Sequence, residues 1–152
     1  MVMRKVMMAF AVAVGVFILN NSHAAAQINW PPLFAVLDGG NEVSPAGVPN
    51  AGDQDGRGSF SATIAGNLLC YGLTVTNIGV PTAAHIHNAT AGVNGAIVVP
   101  LAAPAAGNPG TSSGCVAVAA ALLTNIRVNA AAFYVNVHTG QFPNGAIRGQ
   151  LF

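Results

Sequence analysis

Charge is what this 152-residue chain has least of, with only 6% of its side chains ionic. Lysine is absent after Lys5. From residue 27 onward, Arg57, Arg127 and Arg148 stand against Asp38, Glu42, Asp53 and Asp55, three cations to four anions and a formal net charge of −1. So sparse a set of cations offers no electrostatic footprint to a phosphate backbone or an anionic membrane surface, which excludes nucleic acid as a partner. The chain also lacks a GxxxxGK phosphate cradle and a CxxC pair. Phosphate-loop and thiol-redox chemistry therefore have no carrier.

No apolar stretch is built to span a bilayer. Ala9 to Leu19 is an apolar run of eleven residues, well short of the ~20 that a spanning helix needs. It follows the basic pair Arg4-Lys5 and precedes the small residues Ser22-His23-Ala24-Ala25-Ala26. That arrangement reads as a secretory signal peptide over residues 1–26, with cleavage after Ala24 or Ala26. No cysteine follows the run where a lipid-modified protein would carry one. The expectation is a secreted, periplasmic or cell-surface protein with no membrane span after cleavage. Residues 27–152 are long enough for one domain with a single core.

There are only two cysteines, Cys70 and Cys115. In an exported chain an even count predicts a structural disulfide, and two cysteines allow one connectivity. A thiolate metal ligand is the alternative. Closing a loop across 45 positions would contribute roughly 4 kcal/mol by chain entropy.

Short apolar or alternating runs are punctuated by Gly, Pro, Asn and Asp about every ten residues. This pattern predicts an all-β domain, an Ig-like or Greek-key β-sandwich of about eight strands. The strands are expected near 33–37, 58–64, 68–76, 83–87, 96–101, 114–118, 133–138 and 147–152. Phe34 with Val36, Phe60 with Ala62 and Ile64, and Leu69 with Tyr71, Leu73 and Val75 keep period two and are candidate inward faces. Residues 102–114 read as a long surface loop. Ala119 to Asn129 is the one place for a helix, expected to run one or two turns, because Leu122, Leu123 and Ile126 can share a face.

The chemistry concentrates in the last half. Three of the four histidines lie in Ala84-His85-Ile86-His87 and Tyr134-Val135-Asn136-Val137-His138. Alternation on a strand puts His85 and His87 on one face with Ile86 opposite. The same rule separates an apolar row, Phe133, Val135 and Val137, from a polar row, Tyr134, Asn136 and His138. His85, His87 and His138 are thus candidate ligands for one copper or zinc ion. The competing reading is architectural, with the imidazoles satisfying loop backbone groups. Each histidine strand leads into a similar segment, Asn94-Gly95-Ala96-Ile97 after His87 and Asn144-Gly145-Ala146-Ile147 after His138, as two hairpins would. Arg148 is read either as a structural arginine that bonds loop carbonyls and pairs with Asp38 or Glu42, or as an anion-contacting group. Asp53-Gln54-Asp55-Gly56 offers hard oxygen ligands, but it lacks the ligand series and closing Glu of a calcium loop; a solvated turn is the alternative.

The segments FAVLDGGNEVSPA, AHIHNATAGVNGAIVVPL and YVNVHTGQFPNGAIRGQLF resemble the CHRD domain, a family named after chordin and present in many short secreted microbial proteins. The resemblance covers nearly all of residues 27–152. It implies an all-β extracytoplasmic module and no particular reaction. Where the family carries a proline-rich run after Asn-Glu-Val, this chain has Ser44-Pro45-Ala46 and a longer Asn/Gly/Asp segment. A His-X-His strand followed by a distant His and Gly-Ala-X-Arg-Gly is also similar, more remotely, to copper-zinc superoxide dismutase. That likeness implies copper at the three histidines with Arg148 guiding an anion, although the further histidines of a second metal site and the intervening metal-binding loop are missing.

The function expected from these features is a non-catalytic binding or surface-structural module with an extracellular protein or surface partner, carrying copper or zinc on the three histidines. A copper-dependent, dismutase-like enzyme is the alternative. Self-association through poorly charged sheet edges is a third expectation.

Overall fold

The computed structural model describes residues 31–152. The signal peptide expected over 1–26 lies outside the described residues. Eight strands form: β1 (Leu33–Asp38), β2 (Arg57–Ala65), β3 (Leu68–Thr76), β4 (Pro81–Asn88), β5 (Ala96–Leu101), β6 (Gly110–Ala117), β7 (Phe133–Thr139) and β8 (Ile147–Gln150). Among the described residues one α-helix, α1 (Ala120–Val128), lies between β6 and β7. All the strand pairings are antiparallel, in the order β5-β4-β7-β8-β1-β2-β3-β6. The all-β, Greek-key expectation is met, since β7 returns beside β4, outside the β4–β5 hairpin.

The sheet rolls up until its edge strands β5 and β6 approach each other. Ser112 Oγ of β6 donates to the carbonyl of Ala102, just past β5, at 2.7 Å, and Ala102 N donates to Tyr71 Oη of β3 at 2.7 Å. Inside lies one apolar cluster drawn from every strand except β6 together with α1. Phe133, Val135 and Val137 of β7 are fully enclosed, each stabilising the fold by roughly 1.5–3 kcal/mol relative to exposure. The α1 helix has no capping side chain at Ala119. Its stability comes from Leu123 and Ile126, which it buries in the core. Cys70 and Cys115 face each other across β3 and β6 and are joined in a disulfide. Among the described residues no helix is long and apolar enough to cross a membrane.

Three expectations need correction. On β1 the inward residues are Leu33, Ala35 and Leu37, while Phe34 and Val36 are 42% and 66% exposed. Leu-Phe-Ala-Val-Leu is apolar at every position, so alternation alone does not choose a face. Asp38 does, because it shares the parity of Phe34 and Val36 and reaches Arg57 at the surface, 3.2 Å away. Strand β6 begins at Gly110, four residues early, because the nine-residue β3 pairs with it as far as Val75↔Gly110. The loop before it is shortened accordingly. The helix runs nine residues, about two and a half turns.

Candidate metal centre

Strand β4 sends Ala84 and Ile86 into the core and turns His85 and His87 to the other side. On its neighbour β7, Tyr134, Asn136 and His138 occupy that same side. The register sets His87 opposite Tyr134, His85 opposite Asn136 and Ala83 opposite His138. His85 and His138 are therefore diagonal neighbours, within reach of long side chains. The β4–β5 ladder skips Val98, pairing Ile86 with Val99 and His87 with Ile97. Such a bulge re-aims the side chain beside it.

The three imidazoles converge. His85 Nδ1 lies 3.3 Å from His138 Nε2, and one ring nitrogen from each histidine falls within 4.8 Å of the others. Among the described residues this is the group of His, Cys, Asp and Glu side chains that gathers as metal ligands do. Three nitrogens bonded to one zinc or copper ion lie roughly 3.4 Å apart, so the cluster would contract by little more than ~1 Å on binding. Backbone carbonyls orient two of the rings. His87 Nδ1 is 3.0 Å from Gly95 O, and His138 Nδ1 is 3.0 Å from Pro143 O. A carbonyl only accepts, so each Nδ1 carries the proton and each Nε2 keeps its lone pair. His87 Nε2 is buried with no partner. This is the arrangement that fixes tautomers for metal ligation.

Electrostatics favour the same state. Burial is the first cause that pushes all three histidines below their ordinary pKa; the carbonyls of Gly95 and Pro143 pull His87 and His138 partly back, while neighbouring imidazoles lower His85 and His87 and Arg148 lowers His87 and His138. The rings are therefore neutral at neutral pH, and protons compete weakly for their lone pairs.

A buried ion pair holds the loops over this face. Arg148 is 3% exposed and Glu42 1%. Arg148 Nε and Nη2 each lie 2.6 Å from Glu42 Oε2, and Asn136 Nδ2 donates to Glu42 Oε1. Burial raises the Glu42 carboxyl while Arg148 and these donors pull it back. Arg148 Nη2 also donates to Asn94 Oδ1 at 2.7 Å and Val43 O at 3.4 Å, and Nη1 to Val93 O at 3.3 Å. Asn94 Nδ2 in turn donates to Ser44 O at 2.8 Å, tying the two loops together. Of the two carboxylates considered for Arg148, Glu42 is the partner and Asp38 is not. The guanidinium thus donates to Glu42, Asn94 and the Val43 and Val93 carbonyls.

Other candidates do not assemble. In the Asp53–Gly56 turn Gln54 Nε2 donates to Asn50 O and Gly52 O, which closes the loop on itself. Gly110-Thr111-Ser112-Ser113-Gly114 spells G-x-S-x-G. Ser112 nevertheless lies inside β6 with its hydroxyl donating to Ala102 O, not at the strand-to-helix turn a nucleophile needs. The carbonyls of Gly95 and Pro143 escape sequence reading as individual groups. Their signal is the paired Asn-Gly-Ala-Ile segment, since each hairpin loop supplies the acceptor for its own histidine.

A family model described as the CHRD domain matches residues 33–151. Neither a curated protein nor a solved structure matches the chain.

Proposed function

Because the chain belongs to the CHRD-domain family, we propose that it serves as an exported, non-catalytic binding module that carries one copper or zinc ion on His85, His87 and His138. The observation that carries this reading is the lone pair of His87 Nε2, buried without a partner beside two other imidazoles whose neutral form burial favours. An unsatisfied buried acceptor costs about 1–3 kcal/mol. A metal ion would turn that cost into a bond. Copper and zinc both suit imidazole ligands, and an all-imidazole set with an open position does not select between them.

Export is supported by the Cys70–Cys115 disulfide, a bond that persists in oxidising compartments. The basic and apolar N-terminus, read as a signal peptide, points the same way. Its binding partner would accordingly be an extracellular or surface component. The alternative of a copper-dependent, dismutase-like enzyme needs Arg148 to meet an incoming anion. That guanidinium is buried and held by Glu42, Asn94 and loop carbonyls, which favours the non-catalytic reading.

Elemental analysis tests the proposal. Protein is purified from the exported compartment without metal-chelate chromatography, beside the triple variant His85→Ala, His87→Ala, His138→Ala. About one copper or zinc per chain, absent from the variant, is expected. Equal metal content in both, or none in correctly folded wild-type protein, would sink it. Superoxide turnover by the copper-loaded protein, lost on chelation, would instead favour the enzyme.

A further inference from the structure

The cavity that reaches the histidine cluster holds a second buried acceptor without a partner. Asn136 is 1% exposed and its Oδ1 makes no hydrogen bond. Asn136 and His87 line the same cavity of about 360 Å³, with Tyr134, Asn94 and Arg148 around them. The amide cannot relieve this by flipping. Its Nδ2 donates to the Glu42 carboxylate, and a flip would set Oδ1 against that carboxylate. Asn136, with this unpaired acceptor, and the candidate ligand His87 therefore line one cavity.

Nothing already in the cavity answers it. Arg148 is the one cation there, and its donors go to Glu42, Asn94, Val43 and Val93. Asn94 Nδ2 goes to Ser44 O. A bare anion would bring negative charge against the lone pairs of Asn136 Oδ1. A molecule with both a coordinating lone pair and its own N–H would satisfy the metal and the amide together.

Resting on the three-histidine metal reading, the geometry points to this cavity as a binding site for a small uncharged nitrogen base bearing an N–H, of the azole class. Its lone pair fills the open position on the metal and its N–H donates to Asn136 Oδ1. Asn136 thereby selects ligands that carry a proton over bare anions and over N-alkylated analogues.

Cobalt(II)-loaded protein supplies the test, because its visible bands report coordination without redox change. Imidazole, 1-methylimidazole and azide are titrated near neutral pH, with released cobalt measured in parallel. The two azoles offer the same coordinating nitrogen, and only imidazole has the N–H. Imidazole should shift the bands with a Kd about fivefold lower than 1-methylimidazole, the range a single neutral hydrogen bond provides. Azide should bind more weakly than imidazole. In Asn136→Leu the azole ratio should fall to about 1 while the cobalt bands persist. If that variant does not fold, the comparison of the two azoles in wild-type protein decides alone. Equal affinity for the two azoles, tighter binding of azide, or bands indifferent to all three would overturn the site. Bands that respond to nothing leave the metal reading standing, whereas failure to load cobalt at all would overturn both.

Discussion

Tyr134 lies parallel to His87, with ring centroids 4.7 Å apart and planes inclined by 5°. On the β8 side of the same ring, Arg148 Cζ sits 4.4 Å from its centroid. His87 comes from β4 and Arg148 from β8, the two strands that flank β7, so the ring is held between an imidazole and a guanidinium. Tyr134 Oη also accepts from Gly95 N at 3.3 Å, and Gly95 O faces His87 Nδ1. The scaffold that orients His87 is thus the one Arg148 holds together, and the charge of Arg148 lies one ring away from the cluster.

Replacing Arg148 with Lys keeps the charge and loses the planar fork. Glu42 would remain buried with fewer donors, and the loops at Val43 and Val93 would lose their tie. Losing several of these buried hydrogen bonds, the charged ones worth about 1.5–3 kcal/mol each, destabilises by about 3 kcal/mol or more. For a domain of this size that corresponds to a fall in Tm of roughly 10–20 °C. Calorimetry of the purified variant measures it, and a Tm within a degree or two of wild type would refute the structural role.

Gly145 sits at φ 137°, outside the range of ordinary side chains, and a Cβ there would collide with Glu42 Oε1 and Asn136 Nδ2. Gly145→Ala should therefore disturb the carboxylate–amide contact directly, with a loss of about 2 kcal/mol or more from strain and clash combined. Gly47 also has positive φ but open space around it. Gly47→Ala should cost only the backbone term, about 1 kcal/mol. Urea melts of the two variants side by side should rank them in that order.

The disulfide lies on β3 and β6, in the other half of the sheet from β4 and β7. The double variant Cys70→Ser, Cys115→Ser should lose about 2–4 kcal/mol by freeing the 45-residue loop in the unfolded chain. Its metal stoichiometry at low temperature should match wild type. Loss of metal from the folded variant would show that the two halves are coupled.

Strand positions were legible wherever turn residues bracketed an alternating run. β3 and β5 fall at 68–76 and 96–101 as expected, and the polar row of β7 carries Tyr134, Asn136 and His138. The inward face of β1 was not legible from hydropathy, because five apolar residues in succession satisfy both parities. Only the charge of Asp38 and its pairing with Arg57 break the tie. The histidines could be placed on their strand faces from spacing alone. What brought them together is the register of β4 against β7, a long-range pairing that no local pattern encodes. The lids over the site were hidden for a related reason. Glu42 and Arg148 are 106 positions apart, and it is their pairing that converts an outward-facing polar row into a buried one.

The metal-free protein should lose stability as the pH falls below about 6.5. All three cluster histidines have folded pKa values depressed beneath the ordinary 6.5, with burial the leading cause. Well above that value the rings are neutral in the folded and unfolded chains alike, and they contribute no pH dependence. Below it the unfolded chain takes up protons that the folded cluster resists, so each step in acidity favours unfolding until the pH passes the folded values. Bound metal moves the balance the other way, because it stabilises only the chain that presents the three lone pairs together. Thermal melts in chelator between about pH 8 and 5 should therefore show Tm falling through the histidine range. The slope should be shallower for the triple His→Ala variant and the onset lower in pH for the metal-loaded protein. A slope in chelator no steeper for wild type than for the triple variant would mean that the folded cluster does not resist protons, and that its imidazoles are not held neutral for a metal.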